Sequence, residues 1–224
     1  MAVFAHPDDP EVACAGTLAR WSRAGSEVHL VICNAGEKGS FDPGAAPDTL
    51  ARDRAAEADA AADVMGLGGH RILGHPDGEI ENTNELRGEL VACLRTVRPD
   101  VVISPDPTAV FFGDSYVNHH DHRVVGWAVL DACAPMAGSP LYFPDAGAAH
   151  QVGSILLAGT LDPDTWVDIG AVLDVKVAAL RCHRSQLGDG SEVVADVVRR
   201  RAAEAGRTAG VDYAEGFRRL TLGG

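Results

Sequence analysis

Met1-Ala2-Val3-Phe4-Ala5-His6-Pro7-Asp8-Asp9-Pro10-Glu11 opens the chain and joins a short apolar run to a proline-fixed turn rich in metal-binding side chains. The apolar run suits a buried strand. The turn behind it places an imidazole and a carboxylate three positions apart. From that spacing His6 and Asp9 can reach one cation, while Asp8 stays free to face a water on it. A second cluster, Asn118-His119-His120-Asp121-His122-Arg123, adds three imidazoles and a carboxylate. Two such clusters at strand ends point to hydrolysis at a metal.

Outward from the first turn, apolar runs alternate with Ala-rich segments of helical length, the pattern of βαβ units with helices on both faces of a sheet. Strands are expected at Val3–Ala5, Val28–Cys33, Arg71–Leu73, Val101–Ser104, Ser154–Ala158 and Thr165–Ile169. Helices are expected at Gly16–Ala24, Asp48–Met65, Asn84–Val97, Ile169–His183 and Glu192–Ala205, with Asp48 and Thr83 as N-caps. The predicted fold is α/β: a Rossmann-like three-layer sandwich with a mostly parallel sheet, in a single domain. Residues 1–135 would form the metal-binding core, and 136–224 would complete the sheet and the substrate pocket. The segments His6–Asp9, Asn34–Ser40 and Gly74–Gly78 each follow an expected strand. That carboxyl edge is where open parallel sheets assemble their sites.

The bulk properties narrow the function. A length of 224 residues allows one sizeable core, and a formal charge of −13 argues against nucleic acid or anionic lipid as a partner. Five cysteines without a C-x-x-C pair favour neither a disulfide framework nor a thiolate zinc site, so a reduced cytoplasm is the expected location. No apolar run reaches the roughly 20 residues that span a bilayer. The number of subunits is left open, a homo-oligomer included.

The stretch AHPDDPE (5–11) with Cys14-Ala15-Gly16-Thr17, AGEKGS (35–40) and NHHDHRVVG (118–126) resembles the LmbE-like, or PIG-L-type, zinc-dependent de-N-acetylases. Arg54-x-x-Glu57, Gly74-His75-Pro76-Asp77-Gly78, Lys176 with His183-x-Ser185-Gln186, and Ala214-Glu215-x-Phe217 extend the likeness over almost the whole chain. The resemblance implies an enzyme holding one Zn²⁺ and hydrolysing the linear amide bond of an N-acylated amino sugar or glycoside. His6, Asp9 and His122 would be the metal ligands and Asp8 the general base. His119 would stabilise the oxyanion, at least partly protonated, with Asp121 hydrogen-bonded to it. Arg54, Glu37, Asp77 and His120 are the candidate substrate contacts.

Three of those contacts, Arg54, Asp77 and His120, have a plainer reading. Arg54 at helical spacing from Glu57 also suits a surface ion pair, Asp77-Gly78 is an ordinary turn dipeptide, and His120 stands where many members have proline and suits simple exposure. Asn34 to Ser40 is flexible enough to be a lid. Val117 occupies a position where some members carry tyrosine, and Tyr116 beside it should point elsewhere if the segment is extended. Arg199-Arg200-Arg201 reads as a solvated face, and His183, Ser185 and Gln186 as ties between a helix end and a neighbouring loop. Other readings are a dinucleotide-binding protein, a metal- or carbohydrate-binding module without catalysis, and an amidase acting on a thiol-sugar conjugate. The first lacks G-x-G-x-x-G after its opening strand and would set a pyrophosphate against two carboxylates.

Overall fold

The computed structural model describes residues 1–222. In chain order its elements are β1 (Ala2–Phe4), α1 (Asp9–Ala13), α2 (Ala15–Arg23), β2 (His29–Ile32), α3 (Pro47–Met65), β3 (Gly69–Ile72), α4 (Asn84–Val97), β4 (Val101–Pro105), β5 (Phe111–Phe112), β6 (Tyr116–Val117), α5 (His120–Asp131), β7 (Ser154–Ala158), β8 (Thr165–Asp168), α6 (Leu173–Leu180), α7 (Arg184–Leu187), α8 (Ser191–Ala209) and β9 (Ala214–Thr221). β1 explains why the opening reads as unbroken apolar sequence: it is buried on both faces. Ala2 and Phe4 face a core shared with Leu18, Leu30, Ala61, Met65 and Phe217. Val3 and Ala5 face the opposite core, with Val31, Leu90, Leu94 and Val125. That is the period-two alternation of a strand between two helical layers.

The main sheet has seven strands in the order β3-β2-β1-β4-β7-β9-β8. β1 pairs in parallel with β2 (Val3 opposite Val31) and with β4 (Ala2 opposite Ile103). β4 pairs in parallel with β7, and β9 is antiparallel to both β7 and β8. The chain builds outward from β1 through β2 to β3, then returns to lay β4 on the other side of β1. The order therefore reverses between β1 and β4. The crevice beyond their carboxyl ends is where His6–Asp9 and the segment leading to His122 emerge.

The structure departs from the expected elements in places. α3 begins at Pro47 with Ala46 as its N-cap and no side-chain cap bond, so Asp48 is not the cap. Proline fits a first helical turn, where its missing N–H has no partner to lose. Thr83 does cap α4, accepting from the Leu86 amide at 3.2 Å. The helix expected over 169–183 is a 3₁₀ turn at Gly170–Val172 followed by α6, which ends at Leu180, with His183 turned fully into the interior before α7 begins. α5, the hairpin β5-β6 and the inner strand β9 were not anticipated; β9 carries Arg218 and Arg219, which break the apolar signal. Among the described residues no helix is long and apolar enough to cross a membrane.

Candidate metal centre

The turn after β1 is tightly constrained. The His6 amide donates to Asp9 Oδ2 at 2.8 Å, closing the turn. Asp8, the N-cap of α1, has a φ of 89°, a left-handed conformation that costs a non-glycine residue about 1–3 kcal/mol. Arg54 holds it there: its Nη2 donates to Asp8 Oδ1 at 2.9 Å and to the Pro7 carbonyl at 2.7 Å, and its Nη1 to the Gly36 carbonyl at 3.0 Å. Arg54 is buried, with 3% exposure. Gly36 has a φ of +68°, and a Cβ there would collide with the guanidinium. Glycine is required at that point for close approach as well as for conformation.

The second cluster arrives on the N-terminus of α5. Asn118 is pinned by its own amide to the Val110 carbonyl (2.8 Å) and by Nδ2 to the Ala109 carbonyl (2.8 Å), and its Oδ1 faces His122 Nδ1 at 3.0 Å. That contact aims His122 Nε2 back toward the first turn. His119 is the N-cap of α5, its Nδ1 accepting from the Asp121 amide at 3.2 Å. An accepting Nδ1 leaves the ring proton on Nε2.

The two clusters converge. His6 Nδ1 lies 3.2 Å from Asp9 Oδ2 and 3.2 Å from His122 Nε2, and His122 Nε2 lies 3.0 Å from Asp9 Oδ1. A tetrahedral ion with bonds of about 2.0–2.1 Å spaces its ligand atoms by about 3.3 Å, so this donor set fits a metal. On its other side the His6 ring faces Asp77 Oδ1 at 3.2 Å and Asp121 Oδ2 at 3.3 Å, the carboxylate backing typical of a ligating histidine. One ring nitrogen from each of His6, His119 and His122 lies within 4.8 Å of the other two.

The electrostatics agree. Burial alone would lower the His6 imidazole, but Asp9, Asp121 and Asp77 outweigh it and push it up to about 12. Burial would raise Asp9, yet His122 and His6 hold it well below its usual range. Such a cluster is short of positive charge, which a divalent cation supplies. Burial and the neighbouring Asp9 push the Asp8 carboxyl up to about 6, against the opposing pull of Arg54 and His183. His119 is lowered by burial and by the nearby His6 and His122.

The structure brings the predicted ligands and Asp8 together and reassigns several partners. Asp121 does not bond the His119 ring through its carboxylate. That carboxylate accepts from the Gly78 amide (2.8 Å) and Asn34 Nδ2 (3.2 Å) and backs His6 instead. His119 accepts from the Asp121 amide through Nδ1, and burial with the nearby His6 and His122 draws its imidazole below the usual range, in the direction opposite to the partial protonation expected. Arg54 does not pair with Glu57, whose carboxylate instead accepts from Ser185. Glu37 accepts from the Asp77 amide at 2.8 Å, and Asp77 Oδ2 from the Lys38 amide at 3.0 Å. These bonds, with Asn34 Oδ1 on the Gly36 amide, tie 34–38 down rather than leaving it a free lid. His120 is exposed, with Nε2 at 3.0 Å from the Ile80 carbonyl, and His75 Nε2 faces Glu89 at 2.6 Å.

One flank of the centre opens into a cleft of about 820 Å³ that starts at Asp8, Asp9 and His122. Its walls include Phe112 and Tyr116 of the hairpin, Trp166 of β8, and Arg201, Glu204 and Thr208 of α8. Tyr116 thus faces the cleft, contrary to expectation, and Arg201 belongs to it rather than to a purely solvated face.

Comparison with known proteins identifies the family of the chain. The family model described as PIG-L, GlcNAc-PI de-N-acetylase, matches residues 1–133. The diacetylchitobiose deacetylase of Thermococcus kodakarensis is 31% identical over 95% of this chain and 79% of its own length. The chain belongs to the PIG-L, or LmbE-like, family. The 1D-myo-inositol 2-acetamido-2-deoxy-alpha-D-glucopyranoside deacetylase of Saccharomonospora viridis is 31% identical, over 86% of this chain and 87% of its own. Among solved structures, N,N'-diacetylchitobiose deacetylase from Pyrococcus horikoshii superimposes with a TM-score of 0.89 at 30% identity, covering 98% of this chain and 82% of that one.

Proposed function

We propose that this chain is a zinc-dependent hydrolase that removes the acetyl group from an N-acetylated amino sugar held in a glycoside. The observation that carries the reading is the convergence of His6 Nδ1, Asp9 and His122 Nε2, with Asp8 beside them and engaged by Arg54 instead. Two imidazoles and one carboxylate are a catalytic zinc set, three protein ligands with a position left open. When bound, the cation polarises the amide carbonyl and makes water acidic enough to attack near neutral pH. Asp8 takes the proton of the attacking water and returns it to the leaving amine. His119 donates through Nε2–H to the carbonyl oxygen as negative charge grows there. Asp121 and Asp77 hold the His6 ring, and Asn118 the His122 ring, so that neither turns away from the cation.

A module that only bound metal or sugar would have no use for a carboxylate locked at a left-handed φ beside the ligands. The cleft reaches well beyond the metal to Trp166, which supports a substrate larger than one sugar ring. The five cysteines are all unpaired, which supports a reducing compartment such as the cytoplasm.

The test is acetate release by the zinc-loaded protein from N-acetylglucosamine, N,N'-diacetylchitobiose and N-acetylglucosaminyl-inositol, with Asp8→Asn protein alongside. Release from the two glycosides that vanishes in the variant is the expected result. Stoichiometric zinc with no acetate from any compound would overturn the assignment.

A further inference from the structure

α1 has only five residues, too few to hold a helix alone. Yet it begins with Asp9 and is preceded by its N-cap Asp8, whose φ of 89° persists only where the surroundings over-determine it. Arg54 secures the front of this turn. Its back is gripped from outside the 1–133 region that supplies every proposed ligand. Lys176 of α6, 2% exposed, donates through Nζ to the Val12 carbonyl of α1 at 2.9 Å and pairs with Glu215 Oε1 of β9 at 2.5 Å. Glu215 in turn accepts from the Gly16 amide (3.0 Å), the Thr17 amide (2.7 Å) and the Thr17 hydroxyl (2.6 Å), closing the N-terminus of α2. His183, just past α6, is fully buried and faces Glu11 of α1 at 3.2 Å.

Stability is a poor explanation for such a pair. Burying two charges is costly, and replacing both by neutral groups of similar volume is often neutral for folding. What the pair adds is direction. The ammonium has fixed acceptors on Val12 and Glu215, so α1 and α2 are locked to each other and to β9, between β7 and the edge strand β8. We propose that Lys176 and Glu215 are a positioning pair for the metal-binding turn: they fix α1 so that Asp9 and Asp8 meet the cation in one geometry. The C-terminal third thereby sets the metal affinity of a site whose proposed ligands all lie in the N-terminal part. This inference rests on the metal-site reading above.

The test compares native protein, Glu215→Gln, and the double variant Lys176→Met/Glu215→Gln. It reads zinc Kd by competition with a chromophoric chelator, the melting midpoint of the metal-free protein, and kcat and KM separately. The double variant removes both charges and the tether on Val12 while keeping an acceptor for Gly16 and Thr17. Its melting midpoint is expected to stay near native, its zinc Kd to weaken by about 10–100-fold, and kcat to fall with KM little changed. Glu215→Gln alone leaves the buried ammonium without its counter-charge, so its melting midpoint should fall below that of the double variant, while its zinc Kd should lie between native and double. A double variant that binds zinc like the native chain, or loses zinc only in step with lost folding, would reduce the pair to structural support and overturn the proposal. Native protein that bound no zinc would overturn the metal-site reading as well, so the two failures are told apart.

Discussion

The two flanks of the metal centre are built on opposite principles. On the side of α3 and the Gly74–Gly78 turn, Arg54, Glu37 and Asp77 are engaged by one another's loops, by Asp8 and by His6. On the other side, Tyr116, Arg201, Glu204 and Thr208 stand exposed along an open cleft, with Trp166 half-buried among them. The first flank is a support that holds the proposed base and the proposed ligands. The second is a surface with capacity to spare for a substrate. Polar residues close to a metal are therefore no guide, by proximity alone, to which side reads the substrate.

The sharpest way to break this comparison is at the shared centre. Asp8→Asn should keep one zinc per chain and lower kcat by about 10²–10⁴-fold, the range for a lost general base, whereas Asp9→Ala should lose metal and turnover together. Metal analysis beside kinetics decides between them, and near-native turnover in Asp8→Asn would remove Asp8 as the base.

A smaller effect is expected on the supporting flank. Arg54→Met should cut kcat by about 10–100-fold, as loss of an orienting partner does. A base works deprotonated, so native activity should rise with pH as the Asp8 carboxyl, held up at about 6, loses its proton. Arg54 draws that carboxyl down, so its removal should move the acid limb to higher pH. A limb that stayed in place would mean that Asp8 does not govern it.

The smallest effect belongs to the open flank. Trp166→Ala should raise KM about tenfold for diacetylchitobiose, worth about 1.4 kcal/mol, and leave kcat alone. N-acetylglucosamine kinetics should not change. An equal effect on both sugars would place Trp166 in the support rather than in the recognition surface.

The sequence made the parallel half of the sheet legible because β1, β2, β4 and β7 are mostly buried apolar runs, with polar residues only at His29, Ser104 and Ser154. It also brought out His6, Asp8, Asp9 and His122, whose residue types are dense and oddly placed. It missed β9 because burial falls off along that strand, whose second half carries Arg218 and Arg219, and α5 because its first residues read as a ligand cluster before they read as a helix. The partner of Asp121 could not be read either. Sequence adjacency suggested His119, while the fold turns the carboxylate toward His6, more than a hundred positions away. The same holds for Lys176 and Glu215, 39 positions apart, whose meeting depends on an antiparallel strand that the periodicity did not announce.

The close fit of Gly36 around Arg54 has an evolutionary consequence. A side chain at position 36 and a guanidinium at position 54 exclude each other sterically, so position 36 cannot drift while the arginine stays. The dependence runs one way, because Gly36 also holds a positive φ that other residues adopt only with strain. A lineage that gave up the arginine would therefore keep the glycine for its turn, and would need a new way to hold Asp8 at its left-handed turn.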